Sequence, residues 1–196
     1  MLTREIRAVY DEETITVYQA YQKSIALAAV KHQKFVSPFK MERMTWIKPS
    51  FLWMMYRCGW ASKENQEYVL AIRMKREGFE WALKNACLSH FVANLYQTEE
   101  NWKNSLSASP VRIQWDPEKN IYLHDLEYRS IQIGLTGIAV QKYVNDWTVS
   151  IEDITEYSKE IGNLVKQKRI EEAEKLLPME QIYPISEKIK SIIGHS

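Results

Sequence analysis

Cysteine is nearly absent from this chain: Cys58 and Cys87 are the two among 196 residues. They form neither a CxxC pair nor a metal-ligand spacing, so a disulfide framework and a cysteine-based zinc site are excluded and free buried thiols are expected. Glycine and proline are scarce, at six each, which argues against disorder and low complexity. No long apolar run exists either. The longest, Phe51 to Tyr56, falls far short of the roughly 20 residues of a membrane helix. The N-terminal MLTREIRAVYDEET lacks the apolar segment of a signal peptide. A soluble, cytoplasmic protein with no membrane partner is expected.

Neither sign of charge dominates, and a formal net charge of +1 gives no general attraction to nucleic acid. The phosphate-cradling patterns GxxxxGK[ST] and GxGxxG are missing, as are HExxH and GxSxG. His32, His90, His124 and His195 are scattered along the chain. No metal site is expected.

Aromatic residues are abundant, with seven Trp and eleven Tyr. Their large faces suit a core or a stacking pocket equally, provided each polar tip finds a partner. Charge is unevenly placed as well. Residues 31–63 hold seven Lys/Arg against Glu42 alone, whereas residues 151–182 hold eight acids against five bases. A basic segment that meets an anion and two segments that face each other or solvent explain this equally well.

The length fits a single domain, 1–196, in which a strand-rich part (1–151) precedes a helical part (152–196) packed on it. Thr14 to Tyr21 reads as a strand, followed by a helix to His32 capped by Ser24. Pro49 and Gly59 bracket a short helix, apolar on nearly every face and therefore expected to be buried. Glu67 to Met74 returns to a strand, and Glu77 to Leu88 has helical spacing. Residues 97–110 are polar and read as an exposed loop. Val111 to Trp115 alternates as a half-buried strand should, with a turn expected at Asp116 to Asn120 and a hairpin partner at Ile121 to Leu123. Arg129 to Leu135 and Trp147 to Ile151 are further strands. Beyond Asp153 the chain turns helical, with an apolar stripe through Ile154, Tyr157, Ile161 and Leu164, a helix from Ile170 to Leu177, and a last one capped by Ser186. Without strict βαβ repetition, the pattern is α+β, with a mixed or antiparallel sheet flanked by helices.

The run RMTWIKPSFLWMMYRCGW, from Arg43 to Trp60, is the most unusual part. Together with VYQAY (17–21), REGF (76–79), QWDPE (114–118) and YRSIQIGL (128–135), it closely resembles domain of unknown function family 4291. The resemblance extends from about Thr14 to Ser150 and, more loosely, to LLP (176–178) and YP (183–184). It implies a bacterial-type cytosolic protein and supplies no catalytic residues.

Residue chemistry points to an anionic, planar ligand. Arg43, Lys48 and Arg57 sit among Trp46, Trp53, Tyr56 and Trp60, and guanidinium pairs bidentately with phosphate while aromatic faces stack on bases. Ser50 opens the short helix, where free backbone N–H groups favour an anion. A phosphate over Ser50, clamped by Lys48 and Arg43, is the sharpest expectation. Residue type alone favours the alternative, a core role for the tryptophans with the arginines held in ion pairs. Arg129 and Gln132 form a second polar set, and Gln114 with Asp116 a third. Glu67 and Asp116 are the candidate proton-handling carboxylates.

The strand from Val17 through Gln19 and its small-residue helix look something like the opening of ADP-ribosyltransferase-like domains, which would imply NAD as cofactor. An enzyme or binding protein for a nucleotide-like ligand, of transferase or hydrolase type, is therefore the first expectation. A nucleic-acid-binding module using residues 31–63 and a protein-interaction domain are the alternatives.

Overall fold

The computed structural model describes residues 3–195. In chain order the elements are β1 (Arg7–Ala8), β2 (Thr14–Tyr21), α1 (Lys23–His32), β3 (Thr45–Ile47), α2 (Phe51–Cys58), β4 (Tyr68–Lys75), α3 (Arg76–Lys84), β5 (Ala86–Leu88), α4 (Ala93–Tyr96), α5 (Glu99–Ala108), β6 (Val111–Lys119), β7 (Asp125–Leu135), α6 (Ile138–Lys142), a π-helical turn (Tyr143–Trp147), β8 (Thr148–Asp153), α7 (Thr155–Lys166), α8 (Ile170–Leu176), β9 (Gln181–Ile182) and α9 (Glu187–Ile193). The class is α+β, as the order of elements in the sequence implies.

Three sheets form, in the orders β2-β4-β8, β3-β7-β6-β5 and β1-β9. The pairing is antiparallel except between β5 and β6, which run parallel. Alternation on β2 and β4 sends Ile15, Val17, Leu70, Ile72 and Met74 to one face. They join Ile47, Val111, Ile113, Ile131, Ile133 and Leu135 of the four-stranded sheet in one apolar cluster. The opposite face of β2, with Tyr18, meets Phe51, Met54 and Met55 of α2 and Ile161 of α7 in a second cluster. The C-terminal elements are part of this packing. Ile189 and Ile193 of α9 enter the first cluster and Ala173 of α8 the second.

The two larger sheets are stitched together at one point. The backbone N–H of Tyr18 donates to the carbonyl of Lys48 at 2.7 Å, and the N–H of Lys48 donates back at 3.3 Å. Lys48, at the end of β3, is thereby fixed where the sheets meet.

Several local expectations give way to the structure. Gln22, not Ser24, is the N-cap of α1, and no side chain caps it. The helix at 77–88 stops at Lys84, and Ala86–Leu88 pairs with β6 instead. Residues 97–110 hold α5, started by Thr98, whose hydroxyl accepts the N–H of Asn101, and favoured by Glu99 and Glu100 in its first turn. That helix buries no residue, so apolar periodicity had nothing to register. The turn expected at Asp116 lies later. β6 runs on to Lys119, and Asn120 Oδ1 accepts the N–H groups of Tyr122 and His124 to make the bend. The C-terminal part is not purely helical, because β9 pairs with β1.

Candidate functional site

The face of the four-stranded sheet turned away from the core is the floor of the site. Because Ile113, Trp115, Ile131 and Ile133 point inward, Gln114, Asp116 and Gln132 share the outer face, with Gln114 directly across from Gln132. Gln114 donates to Asp116 Oδ1 at 3.0 Å, and Gln132 donates to Asp116 Oδ2 at 2.8 Å. Both carboxylate oxygens are thus held by side-chain amides. On β3, Trp46 pairs with Gly134. A Cβ at Gly134 would come within 3.0 Å of the Trp46 ring and 2.8 Å of Met44 Sδ, so the missing side chain is what admits the indole.

The wall is α2. Ser50 caps it by accepting the N–H of Trp53, and Gly59 ends it in the left-handed region at φ 59°. Phe51, Met54, Met55 and Cys58 face the second core cluster. Trp53, Tyr56 and Arg57, three and four residues apart, line a cleft instead. The expectation of a helix buried on every side therefore holds for one face only. The Trp53 and Tyr56 rings lie 5.3 Å apart between centroids, and the Arg57 guanidinium sits 5.9 Å from the Trp53 ring. Trp53 is 4 % exposed, and its indole Nε1 has no hydrogen-bond partner.

Floor and wall enclose a cleft of 540 Å³, completed by Trp46, Lys48, Lys119 and Asp125. Lys119 forms an ion pair with Asp125 and holds Nζ 3.7 Å from the centroid of the Tyr56 ring. Lys48 differs from it. Only 6 % of Lys48 is exposed. Its ammonium group makes one hydrogen bond among the described residues, a long one of 3.5 Å to the carbonyl of Trp46. Among the described residues no carboxylate lies within ion-pairing distance of it. Burial, and then the neighbouring Arg57, pull its pKa down to about 8, against the opposing pull of Cys58 and Asp116.

A smaller cavity of 240 Å³ adjoins through Lys119 and is lined by Arg7, Ser50, Glu118, Tyr128 and Glu180 among others. Ser50 Oγ donates to Glu118 at 2.9 Å, and Phe51 N–H donates to Glu180 at 2.6 Å. The first free N–H of α2, where a ligand phosphate was expected, is therefore taken by the chain's own carboxyl group. Burial raises the pKa of Glu180 to about 8, helped by Glu118 and opposed by the Phe51 N–H and Arg7. Burial likewise raises that of Glu118, against the hydrogen bonds from Lys119 N–H and Ser50.

Of the residues singled out from the sequence, Lys48, Arg57, Asp116 and Gln132 converge on the cleft, with Gln114, Trp46, Trp53 and Tyr56. The other candidate site residues lie elsewhere. Arg43 is exposed in a separate groove with Tyr21, Phe39 and Thr45. Ser50 faces the smaller cavity. Gln19 is buried and saturated, donating to Tyr21 and Thr45 hydroxyls and to the Trp46 carbonyl, and accepting from Tyr143 at 2.8 Å. Arg129 donates to the Trp115 carbonyl at 2.9 Å. Glu67 accepts the N–H of Asn65 beside a shallow groove with Lys23 and Tyr68. Lys119, Asp125, Glu118 and Glu180 were missed. The register of β6 against β7 shifts between Pro117 and Lys119, and such a bulge breaks the alternation by which a sequence shows its faces.

No helix among the described residues is long and apolar enough to cross a membrane. A protein-family model described as "Domain of unknown function (DUF4291)" matches residues 5–183, and the chain belongs to that family. Among curated proteins, none matches.

Proposed function

We propose that this member of the DUF4291 family binds a small, nucleotide-like anionic ligand in the cleft between α2 and the outer face of the four-stranded sheet. The observation that supports this most is Lys48: a buried cation with no carboxylate partner among the described residues, beside Arg57, opening on an aromatic wall. A buried charge is costly unless paired, so a site that keeps one unpaired gains most from an incoming anion. Lys48 and Arg57 take the anionic group, and Trp53 and Tyr56 take a planar part by stacking. Asp116, oriented by two amides, is the group placed to move a proton, as a transferase or hydrolase acting on such a ligand requires. Gln19 is engaged on both ends of its amide, so the features that would read NAD in an ADP-ribosyltransferase-like manner are not drawn from it.

A nucleic-acid groove is less favoured. Asp116 and Asp125 interrupt the basic surface of the cleft, where a polyanion would meet repulsion. The free, buried thiols of Cys58 and Cys87 suit a reducing, cytoplasmic setting.

A thermal-shift panel tests the reading, with adenosine, AMP, ADP, ATP, NAD and inorganic phosphate. Phosphorylated, base-bearing compounds should raise the Tm of the wild type and leave Arg57→Ala unmoved. A panel that shifts neither protein contradicts it.

A further inference from the structure

Two lysines reach the cleft, and they are held in different ways. Lys119 is matched by Asp125 and by the Tyr56 ring. The Lys48 ammonium has, among the described residues, one hydrogen bond, the 3.5 Å contact to its own strand. Its backbone is clamped by both hydrogen bonds to Tyr18, so the side chain leaves a fixed base at the junction of the sheets. Desolvation and an adjacent guanidinium both disfavour the ammonium form, the combination that turns a lysine into a nucleophile. Asp116 lines the same cleft with both oxygens oriented.

We propose that Lys48 is the covalent nucleophile of the cleft, adding through Nζ to the carbonyl carbon of an aldehyde or ketone that also carries an anionic group. This rests on the reading of the cleft as an anion site and names the substrate class more closely. The amine lone pair forms the N–C bond while the carbonyl π pair moves to oxygen. A proton passes from nitrogen to that oxygen, with Asp116 as the carrier, to give a carbinolamine. Asp116 then gives its proton to the hydroxyl, the nitrogen lone pair expels it as water, and the resulting iminium returns its N–H proton to Asp116, leaving an imine on Lys48. Carbonyl and amine become imine and water, with no change of oxidation state. Arg57 and the aromatic wall hold the anionic and planar parts of the substrate meanwhile.

Pyridoxal 5′-phosphate is a suitable probe, being a planar, phosphorylated aldehyde. The full chain is incubated with it, reduced with borohydride, and mapped by mass spectrometry. Lys48 should acquire the pyridoxyl group about tenfold faster than any exposed lysine, because more of its amine is neutral. Added ATP should slow that labelling. A label spread over exposed lysines with Lys48 unmodified overturns the proposal, and this map needs no variant. Lys48→Arg, checked for folding by circular dichroism, should lose the dominant label, and retention of the same yield and rate also overturns it. Quenching of tryptophan fluorescence by the probe, reversed by ATP, reports binding separately. Quenching without a reduced adduct at Lys48 defeats the covalent step and leaves the anion site standing. Neither quenching nor adduct defeats both.

Discussion

Lys119 Nζ lies 3.7 Å from the centroid of the Tyr56 ring, with Asp125 as its ion-pair partner. A strand cation thereby braces an aromatic ring that is itself 46 % exposed at the mouth of the cleft. The ring contributes little to the core, and under the proposed function it serves the ligand. Tyr56→Leu should change stability by no more than about 1 kcal/mol, the order of an exposed cation–π contact. It should weaken binding of a stacking ligand by about 1–3 kcal/mol. Denaturant titration and calorimetric titration on the same preparations separate the two effects.

Gly134 tests the floor. A methyl group there meets the Trp46 ring and Met44 Sδ below ordinary contact distance, so in Gly134→Ala the indole, the Met44 side chain or both must shift. The expected cost in stability is about 1–3 kcal/mol, as for other overpacked sites. A ligand that uses the floor should lose affinity as well. A crystal structure of the variant shows whether Trp46 has moved.

Much of this was legible from the chain. β2 has the bounds that its β-branched and aromatic residues imply, and Gly59 ends α2 as expected, whereas the helix starts later than Pro49 suggested, with Ser50 as its cap. Lys48 with Arg57, Gln132, and Gln114 with Asp116 were recognisable as members of three separate polar sets, and the fold brings them to one cleft while leaving Arg43, Ser50 and Arg129 outside it. What the sequence hid has physical causes. α2 is apolar on nearly every face, so periodicity could not show that Trp53 and Tyr56 look outward from it. The bulge after Pro117 conceals that Glu118 and Lys119 are both buried. Arg43 is close to Lys48 in sequence but lies in the bend before β3 and lines another groove.

Arg43 therefore makes a useful control. Arg43→Ala should leave affinity for a ligand of the cleft within about twofold of the wild type and stability within about 0.5 kcal/mol, as for an ordinary surface change. Arg57→Ala should abolish most of that affinity. Calorimetric titration of both variants checks the contrast.

Lys48 links the site to stability. Its folded-state pKa, about 8, lies below the ordinary lysine value. The folded protein thus binds fewer protons than the unfolded chain between those two values, and stability gained from deprotonation is lost as pH falls through about 8. Lys48→Met keeps the volume and removes the charge. It should stabilise the protein by up to roughly 3 kcal/mol near pH 6, with the gain shrinking toward pH 10. Urea titrations of the wild type and variant across that range give the difference directly.

The cleft as an anion and stacking site is tested most directly by the indole N–H resonances of the seven tryptophans. Trp46 and Trp53 line the cleft, whereas Trp115 and Trp102 donate to the Ile193 and Leu88 carbonyls away from it. Titration with a nucleotide that raises Tm should move the Trp46 and Trp53 signals saturably, and Arg57→Ala should remove the response. Shifts confined to other tryptophans, or none at saturating nucleotide, would contradict the assignment of this cleft as the binding site.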